Sequence, residues 1–305
     1  MEHLKIVASA RQVPSRLVTN DELSTMMETN DDWIYTRTGI RQRQVVTTEN
    51  TSDLAIQVAE QLLAKAQVSA ESLDFIIVST MSPDSLSPST AAIVQGAIGA
   101  NQAFAFDLSA ACSGLVYGMS VASSLLSTRY RRGLVIGAEV LSKLVDWQDR
   151  TTAVLFGDGA AGVLVETTEE AIGLLSEELR TFGDKGDNLV AGRFGNANPF
   201  SGDITPADPY FHQNGREVYN FATREVPDAL AAALAKAQLS ADDVDYYLLH
   251  QANARIVSTI AKRFGQPETK FPTNMASNGN TSALMHPAER KSHGRKRDTA
   301  RRDAS

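Results

Sequence analysis

Residues 64–78 read AKAQVSAESLDFIIV, and residues 235–249 read AKAQLSADDVDYYLL, so one stretch occurs twice in the chain. In each copy a helical pattern ends, a serine opens a short acidic turn, and an apolar run follows. This order is typical of a helix that leads into a buried strand. The repeat predicts a duplicated α/β unit, and a chance likeness between two separate helix–turn–strand units is the alternative.

Strand and helix patterns alternate on both sides of this repeat. We expect further buried strands at residues 103–106, 133–137 and 160–166, a strand at 244–249 inside the second copy, and helices at 51–66, 89–99, 114–127 and 218–237. Such alternation is typical of mixed or parallel sheets that helices cover on both faces. Ligands in such folds gather at the carboxyl ends of the strands.

Two halves and a tail divide the chain. We expect an N-terminal half over residues 1–170, a C-terminal half over residues 171–285 and a basic tail over residues 286–305. Residues 181–209, which are rich in Gly, Asn, Asp and Pro, are predicted to form a long loop. No low-complexity linker separates the halves, so one body is expected.

The composition excludes several classes of function. The chain has 305 residues, of which 43% are hydrophobic and 21% charged, as in ordinary globular proteins. Its 29 Lys and Arg against 36 Asp and Glu give a net charge of -7, which argues against sequence-independent binding to nucleic acid because that binding needs a basic face. No apolar run approaches the roughly 20 residues of a membrane span, and no signal peptide is recognisable, so we expect a cytoplasmic protein.

Cys112 is the single cysteine, which excludes an internal disulfide and a metal cluster built on cysteines. It follows the apolar run at 104–106 and precedes a helical pattern that starts at Gly114. A thiol near a helix N-terminus is activated, because the unpaired amides and the helix dipole favour the thiolate over the thiol. The alternative is a buried cysteine that serves as a small apolar side chain.

His250 and Asn280 are the candidate partners of this thiol. His250 directly follows the apolar run at 244–249, which matches a strand end in the second half. If the halves pack about a pseudo-twofold axis, their strand ends face each other and bring imidazole and thiol together. Asn280 lies in the turn at 277–282, where its amide can donate to a developing oxyanion. A structural histidine and a turn-forming asparagine are the alternatives.

Three segments together, AACSG at 110–114, HQAN at 250–253 and SNGNTS at 277–282, resemble the β-ketoacyl-acyl-carrier-protein synthase III family of bacterial fatty-acid synthesis. Further segments agree, namely DWIYTRTGIR at 32–41, PSTA at 88–91, FGDGAA at 156–161 and NGREV at 214–218. The resemblance extends to about residue 283. It implies a thiolase-like α/β fold, in which duplicated βαβαβαββ halves form five α-β-α-β-α layers, with the second half incomplete in this chain.

The resemblance also implies a reaction. Cys112 is similar to the nucleophile that takes an acyl group from acyl-CoA. His250 and Asn280 are similar to the pair that binds the thioester carbonyl of malonyl-acyl-carrier protein and stabilises the enolate formed by decarboxylation. The products would be a 3-oxoacyl-carrier protein and carbon dioxide. The resemblance implies a homodimer and no cofactor or metal, since acyl-CoA is a substrate.

Residues that contact the substrates follow from the same resemblance. It assigns CoA binding to Trp33, Arg37, Arg150 and Asn253. The adenine would lie between the Trp33 indole and the Arg150 guanidinium. It assigns docking of the acidic carrier protein to Arg255, Lys262 and Arg263, on a helix predicted over 253–264. From spacing alone, these charges are equally typical of a solvated surface.

The chain departs from the family after residue 283. From His286 to Ser305, seven Lys or Arg against three Asp or Glu give a charge of +4, where an α/β chain needs an apolar element to close its sheet. A one-base shift of the reading frame permits a sequence that resembles the missing helix end and strand. We therefore hypothesise a frameshift between Ala283 and Glu289, which resequencing of the locus tests and an intact frame contradicts.

Other functions stay open on the sequence. A thiolase-fold enzyme with another donor, such as a CoA thioester, would use the same three residues. An inactive homologue is a second alternative, because the altered tail removes an expected strand. A generic cysteine–histidine hydrolase is a third, although it leaves Asn280 and the pair Trp33 and Arg37 without a role.

Overall fold

The computed structural model describes residues 3–170 and 172–281 of the chain. In this part the strands are β1 His3–Gln12, β2 Arg16–Thr19, β3 Gln42–Val45, β4 Phe75–Ser79, β5 Phe104–Leu108, β6 Arg132–Glu139, β7 Gly159–Thr168, β8 Leu189–Arg193 and β9 Asp208–Gln213. The helices are α1 Asn20–Leu23, α2 Asp31–Thr38, α3 Thr51–Ala66, α4 Thr90–Ala97, α5 Gly114–Leu126, α6 Gly215–Lys236, α7 Ala254–Arg263 and α8 Met275–Asn278.

The central sheet has the strand order β1-β7-β6-β4-β5. β4 pairs in parallel with both β5 and β6, whereas β6 with β7 and β7 with β1 are antiparallel pairs. In this register Ser79 lies opposite Leu108 on one side and Gly137 on the other. The carboxyl ends of the three parallel strands therefore meet at one edge. We call Ser79, Leu108, Glu139 and the segments that follow them the carboxyl edge.

Strand periodicity divides the core between the two faces of this sheet. Ile76 of β4 belongs to a core cluster with Val58 of α3, and its neighbour Ile77 belongs to a different cluster with Leu126 of α5. All four side chains are almost completely buried. Successive strand residues point to opposite faces, so a run of buried residues requires cover on both sides. The expectation of helices on both faces is confirmed.

The sequence repeat has a structural counterpart. Gln67 and Gln238, which follow the C-terminal ends of α3 and α6, both adopt the left-handed conformation with φ of 56°. A serine then opens a one-turn 3₁₀ helix in each copy, at Ala70–Ser72 and at Ala241–Asp243. Left-handed φ at a residue other than glycine is uncommon, so its presence at matching positions supports a duplicated unit over a chance likeness.

The two copies differ after this turn, and the strand predicted at 244–249 is wrong. The first copy continues into β4, whereas residues 244–249 form no strand. Among the described residues, this segment makes one backbone hydrogen bond of the kind that pairs strands, from Tyr247 N–H to the Lys270 carbonyl at 2.8 Å. Because a strand needs a paired neighbour along its length, an apolar run alone does not establish one. The partner residue of this bond, Lys270, ends a 3₁₀ turn at Glu268–Lys270.

The loop predicted at 181–209 is partly wrong. It contains a 3₁₀ helix at Gly183–Asn188 and then β8, which pairs antiparallel with β9. The hairpin is anchored by Phe211, whose N–H donates to the Leu144 carbonyl at 2.8 Å and whose ring lies 4.5 Å from that of Phe156. β8 could not be recognised in the sequence because glycines and asparagines surround its short run, and such residues usually indicate turns.

The second half is otherwise helical in the described residues. Tyr247, Ile260 and Phe271 form a core cluster against which Tyr219 and Leu230 of α6 pack. The rings of Tyr247 and Phe271 stack with centroids 4.7 Å apart. The helices predicted at 114–127 and 218–237 correspond to α5 and α6, the latter starting earlier because Asn214 caps it by accepting the Glu217 N–H.

Residues 282–305 lie outside the described residues, and so do the predicted tail and the predicted frameshift. Within the described part, no helix has the length and apolar character that crossing a membrane requires. The longest, α6, has 22 residues and carries charged side chains along its length.

Two helix glycines offer a matched test of packing against the sheet. A Cβ on Gly118 of α5 would lie 2.7 Å from Val135 Cγ1, whereas a Cβ on Gly96 of α4 would have no atom within 4 Å. We expect Gly118→Ala to destabilise the fold by about 1–3 kcal/mol through overpacking. Gly96→Ala should instead stabilise it by about 0.5–1 kcal/mol through helix propensity. Urea unfolding of both variants measures the difference, and equal effects would contradict the helix–sheet contact.

Candidate active site

Cys112 lies on the carboxyl edge, in a 3₁₀ turn at Ala111–Ser113 that joins β5 to α5, and it is half-buried. Ser113 precedes the first residue of α5 and makes no side-chain cap bond to the helix. The first amides of a helix have no partner within the helix, and together they carry partial positive charge. The sulfur therefore lies where this charge favours a thiolate.

The turn that presents this sulfur is strained. Ala111 has a φ of 44°, in the left-handed region that disfavours residues with a Cβ. Such a conformation costs on the order of 1–3 kcal/mol and is held by its surroundings. Here the Ser79 hydroxyl donates to the Gly114 carbonyl at 2.8 Å, and Thr80 N–H donates to the Leu108 carbonyl at 3.2 Å. β4 thus fixes both ends of the cysteine turn.

Glu139, the last residue of β6, is fully buried at this edge. Its carboxylate accepts hydrogen bonds from Met81 N–H at 3.1 Å, from the Thr80 hydroxyl at 3.3 Å and from the Ser82 hydroxyl. Burial raises the pKa of Glu139 to about 8, the three donors oppose this rise, and the charge of Cys112 adds to it. This buried carboxyl therefore interacts electrostatically with the candidate nucleophile.

Asn280 is held by its own backbone against the segment that precedes β7. Its N–H donates to the Leu155 carbonyl at 2.9 Å, and its carbonyl accepts from Gly157 N–H at 3.0 Å, which forms an isolated parallel bridge. The adjoining Gly279 has a φ of 70°. A Cβ on Gly157 would lie 2.4 Å from the Asn278 carbonyl oxygen, so only glycine allows this approach.

Arg43 packs against the contact between the Asn280 turn and the segment that precedes β7. Its side chain packs against two glycines at this contact. A Cβ added to Gly157 or to Gly279 would lie only 3.1 Å from the Arg43 Cβ. The guanidinium is fully buried and donates to the Asn20 side chain and the Val154 carbonyl, both at 2.9 Å. Burial lowers the pKa of Arg43 to about 10, which leaves it charged at neutral pH. The bond to Val154 holds Arg43 against the segment before β7, with which Asn280 pairs.

His250 lies in the segment before α7, and its neighbour links it to α8. The side-chain carbonyl of Gln251 accepts from Asn274 N–H at 2.7 Å and from Met275 N–H at 3.1 Å. α8 starts at Met275 and ends just before Asn280. The histidine and asparagine segments are therefore tied together by one side chain. Their meeting with the Cys112 sulfur stays a prediction.

The aromatic and basic residues expected at CoA form a closed stack. The Arg37 guanidinium carbon lies 4.5 Å from the Trp33 ring centroid, and that of Arg150 lies 5.2 Å from it. Stacked rings lie about 4.5 Å or more apart, and a purine between Trp33 and Arg150 would need that separation on each of its faces. The present 5.2 Å is too short, so a purine can enter only if Arg150 moves. Arg150 also donates to the Glu28 carbonyl at 2.9 Å, a bond that this movement would break.

Three residues at or near α7 that were expected to contact CoA or the carrier protein already make hydrogen bonds within the protein. Asn253 caps α7 by accepting Arg255 N–H at 2.8 Å and donates its amide to the Arg37 carbonyl at 2.9 Å. The Arg255 guanidinium donates to the Thr36 carbonyl at 2.7 Å, and Arg263 donates to the Thr223 carbonyl at 2.8 Å.

Lys262 differs from these residues. It is exposed, and no described residue accepts a hydrogen bond from it. An open groove of about 440 Å³ lies beside Arg255 and is also lined by Tyr219, Ala254, Ser258 and Thr259. Among the candidates on α7, Lys262 therefore has the side chain that is most available to a partner.

Glu139 and Arg43 were missed by the sequence reasoning. Glu139 carried a usable signal, since it ends the apolar run Leu134–Ala138 and a charged residue there is either buried or at the end of a strand. Arg43 carried none, because a single arginine in a short polar strand resembles a surface residue. In the described residues, no group of three or more His, Cys, Asp or Glu side chains is arranged to hold a metal ion.

The role of Asn253 can be tested by two substitutions. Asn253→Ala removes both the cap acceptor and the donor to Arg37, and should destabilise the fold by about 1 kcal/mol or more. Asn253→Asp keeps the cap acceptor and should recover most of that loss. Thermal unfolding of the two variants measures the difference, and an alanine variant as stable as the original would show that these bonds contribute nothing.

Comparisons with known proteins place this geometry in a family. The family model for 3-oxoacyl-[acyl-carrier-protein (ACP)] synthase III matches residues 106–183, and the model for its C-terminal region matches residues 234–301. Beta-ketoacyl-[acyl-carrier-protein] synthase III of Limosilactobacillus reuteri (strain DSM 20016) is 54% identical over 289 residues, which are 94% of this chain and 89% of that protein. The protein of the same name from Lactococcus lactis subsp. lactis (strain IL1403) is 51% identical over 288 residues, 94% of this chain and 88% of that one.

Solved structures agree with the sequence comparison. The crystal structure of 3-oxoacyl-[acyl-carrier-protein] synthase III from Aquifex aeolicus VF5 superposes with a TM-score of 0.85 and 37% identity, over 92% of this chain and 87% of that one. The Pseudomonas aeruginosa PAO1 enzyme superposes with a TM-score of 0.86 and 32% identity, over 93% and 86% of the two chains. The fold is thiolase-like, as expected. The chain belongs to the 3-oxoacyl-[acyl-carrier-protein] synthase III family.

Proposed function

We propose that this enzyme condenses an acyl-CoA primer with malonyl-acyl-carrier protein and so initiates fatty-acid synthesis, with Cys112 as its nucleophile. One observation carries the proposal. In a chain that is 54% identical to a curated synthase, the single cysteine lies in a strained turn at the uncapped N-terminus of α5. The helix start favours a thiolate there, and no metal is needed to activate it.

The first step is transfer of the acyl group. The Cys112 thiolate attacks the thioester carbonyl of acyl-CoA, a new carbon–sulfur bond forms, and the bond from that carbon to the CoA sulfur breaks. CoA leaves as a thiolate and takes a proton from water. The amides at the start of α5 favour this step, because their partial positive charge stabilises negative charge on the attacking sulfur.

The second step needs stabilisation of a second negative charge. His250 and Asn280 donate hydrogen bonds to the thioester carbonyl of malonyl-acyl-carrier protein, and carbon dioxide leaves as the enolate forms. The enolate carbon attacks the acyl group on Cys112 and regenerates the thiolate. Such donors strengthen as the oxygen gains charge, so they act on the transition state more than on the substrate. The rigid backbone bonds of Asn280 support this role, because a fixed donor needs no rearrangement.

The substrates approach from the side of α2 and α7 in this proposal. CoA binds at Trp33, with the Arg150 side chain displaced from the indole, while Arg37 and Asn253 lie alongside. The acidic carrier protein docks on α7, with Lys262 as its main electrostatic contact and Arg255 and Arg263 at its rim. The groove beside Arg255 supports this direction of approach. We place the enzyme in the cytoplasm, where a nucleophilic thiol stays reduced, and assign it no cofactor.

Acylation can be measured directly by intact-mass spectrometry after incubation with acetyl-CoA. We expect one acetyl adduct, located on Cys112, and none on the Cys112→Ser variant. His250→Ala and Asn280→Ala should still form the adduct but lose about 10²–10³-fold in decarboxylation of malonyl-acyl-carrier protein, as expected for removal of one oxyanion donor.

A condensation assay, together with the mass measurement, separates the alternatives. Turnover with malonyl-CoA in place of malonyl-acyl-carrier protein would indicate a CoA-linked donor. An unmodified thiol over a panel of acyl-CoA primers would overturn the proposed reaction.

A homodimer is the proposed assembly. β5 lies at the end of the sheet, and β4 is its strand neighbour among the residues that the structure describes. Phe104 on β5 is 37% exposed and Val116 on the adjoining α5 is 40% exposed, so apolar side chains flank an unpaired strand edge. Such an edge pairs readily with another strand.

Sedimentation velocity tests the assembly. The original chain should sediment as a dimer, and Phe104→Asp should shift the population toward monomer by placing a charge on the edge. Leu175→Asp, at an apolar side chain that is 68% exposed outside the sheet, is the matched control and should leave the dimer intact. A monomeric original chain would refute the assembly.

A further inference from the structure

The reaction proposed above gives Glu139 no role, although few charged groups in the described residues are as deeply buried. The side chain has no exposed surface. It ends the central strand β6, and its neighbours Thr80, Met81 and Ser82 continue from β4. Because Thr80 N–H is bonded to the Leu108 carbonyl, the segment that holds Glu139 also abuts the strand that leads to Cys112.

The hydrogen bonds around Glu139 are directed toward its carboxylate. The Ser82 hydroxyl oxygen accepts Val140 N–H at 2.9 Å, so its proton is left for Glu139. The Thr80 hydroxyl oxygen accepts Ser82 N–H at 3.1 Å and likewise directs its proton to Glu139. These donors stabilise the ionised form, whereas burial disfavours it. Burial is the larger of the two effects, so the pKa of Glu139 is raised to about 8.

Within the described ranges, no Lys or Arg nitrogen lies within 4 Å of this carboxylate, and Lys143 is a cation that interacts with it electrostatically. The Lys143 ammonium is already bonded to the Asn50 side chain at 2.7 Å and to the Pro83 carbonyl at 3.0 Å. Its charge is also shared with Asp84 and Asp158. Glu139 therefore interacts electrostatically both with Lys143 and with Cys112, whose charge raises the pKa of the carboxyl.

We propose that Glu139 is a positioning residue for the charge of Cys112, and that the two groups share one negative charge, the carboxyl being neutral while the sulfur is a thiolate. The inference rests on Cys112 being the nucleophile of the proposed function. Like charges in a buried site oppose each other, so ionisation of one group disfavours ionisation of the other. A neutral Glu139 adds no negative charge of its own at the carboxyl edge, where the thiolate and the enolate develop in the proposed reaction.

The coupling also operates in the reverse direction. When Cys112 becomes an acyl thioester it loses its charge, and the pKa of Glu139 should fall because the opposing charge has gone. Glu139 then releases a proton to water on acylation and takes one up when the thiolate is regenerated. A glutamine, which has nearly the same shape and no charge, cannot do this.

The test is the pH dependence of Cys112 alkylation by iodoacetamide, followed by mass spectrometry on the full-length chain from about pH 6 to about pH 10. Cys112 is the single cysteine, so the adduct is unambiguous. In the original chain, ionisation of Glu139 delays the rise of the thiolate as the pH increases. Glu139→Gln removes that charge, and we expect the midpoint of its alkylation profile to fall by about one pH unit.

A second variant retains the carboxyl. Ser82→Ala removes a donor that stabilises the ionised form, so Glu139 stays neutral to higher pH and the profile should shift in the same direction as in Glu139→Gln, but less. Asp158→Asn is the matched control. Asp158 is also fully buried, its pKa is also raised by burial, and it is held by the Ser142 hydroxyl at 2.6 Å and Val46 N–H at 2.8 Å.

The control profile should coincide with that of the original chain. Identical midpoints for the original chain and Glu139→Gln would overturn the proposal, as would an equal shift in Asp158→Asn. If Glu139→Gln fails to fold, an unshifted Ser82→Ala profile overturns it. Alkylation needs no acyl-CoA, so a failure here leaves the acetyl-adduct measurement, and with it the proposed reaction, unaffected.

Discussion

The parallel pairing of β4 with both β5 and β6 is the constraint on which the site depends. It brings the ends of three strands to one edge, so that the cysteine turn, the buried Glu139 and the segment that holds Asn280 are assembled by one set of ladder bonds. A shift of one residue in this register would turn every side chain of the strand to the other face. The cores on the two faces therefore protect the geometry of the edge as well as the stability of the fold.

Charge at this edge is managed by hydrogen bonds to neutral groups more than by ion pairs. Arg43 donates to neutral side-chain and backbone oxygens, and Glu139 accepts from two hydroxyls and one amide. Buried charges that are held in this way cost desolvation energy, but the hydrogen bonds orient them. An enzyme that must stabilise a thiolate and then an enolate benefits from polar groups that are already oriented, because no reorganisation accompanies the reaction.

Much of this arrangement could be predicted from the sequence. The repeat predicted the duplication, the apolar runs predicted the central strands, and the position of Cys112 before a helix predicted its presentation at the carboxyl edge. Pairing could not be predicted in the same way. Residues 244–249 are as apolar as β4, but they have no paired strand among the residues that the structure describes. β8 is a strand because β9 pairs with it, despite the surrounding glycines and asparagines. Such outcomes depend on contacts between distant segments, which local patterns do not contain.

The matching left-handed glutamines, Gln67 and Gln238, have a practical consequence. Each lies exposed at the C-terminal end of a long helix, far along the chain from Cys112, in a conformation that costs a residue with a Cβ about 1–2 kcal/mol. Glycine bears no such cost there. Glycine at these two exposed, sequence-matched positions would therefore stabilise the fold without any change to the catalytic chemistry.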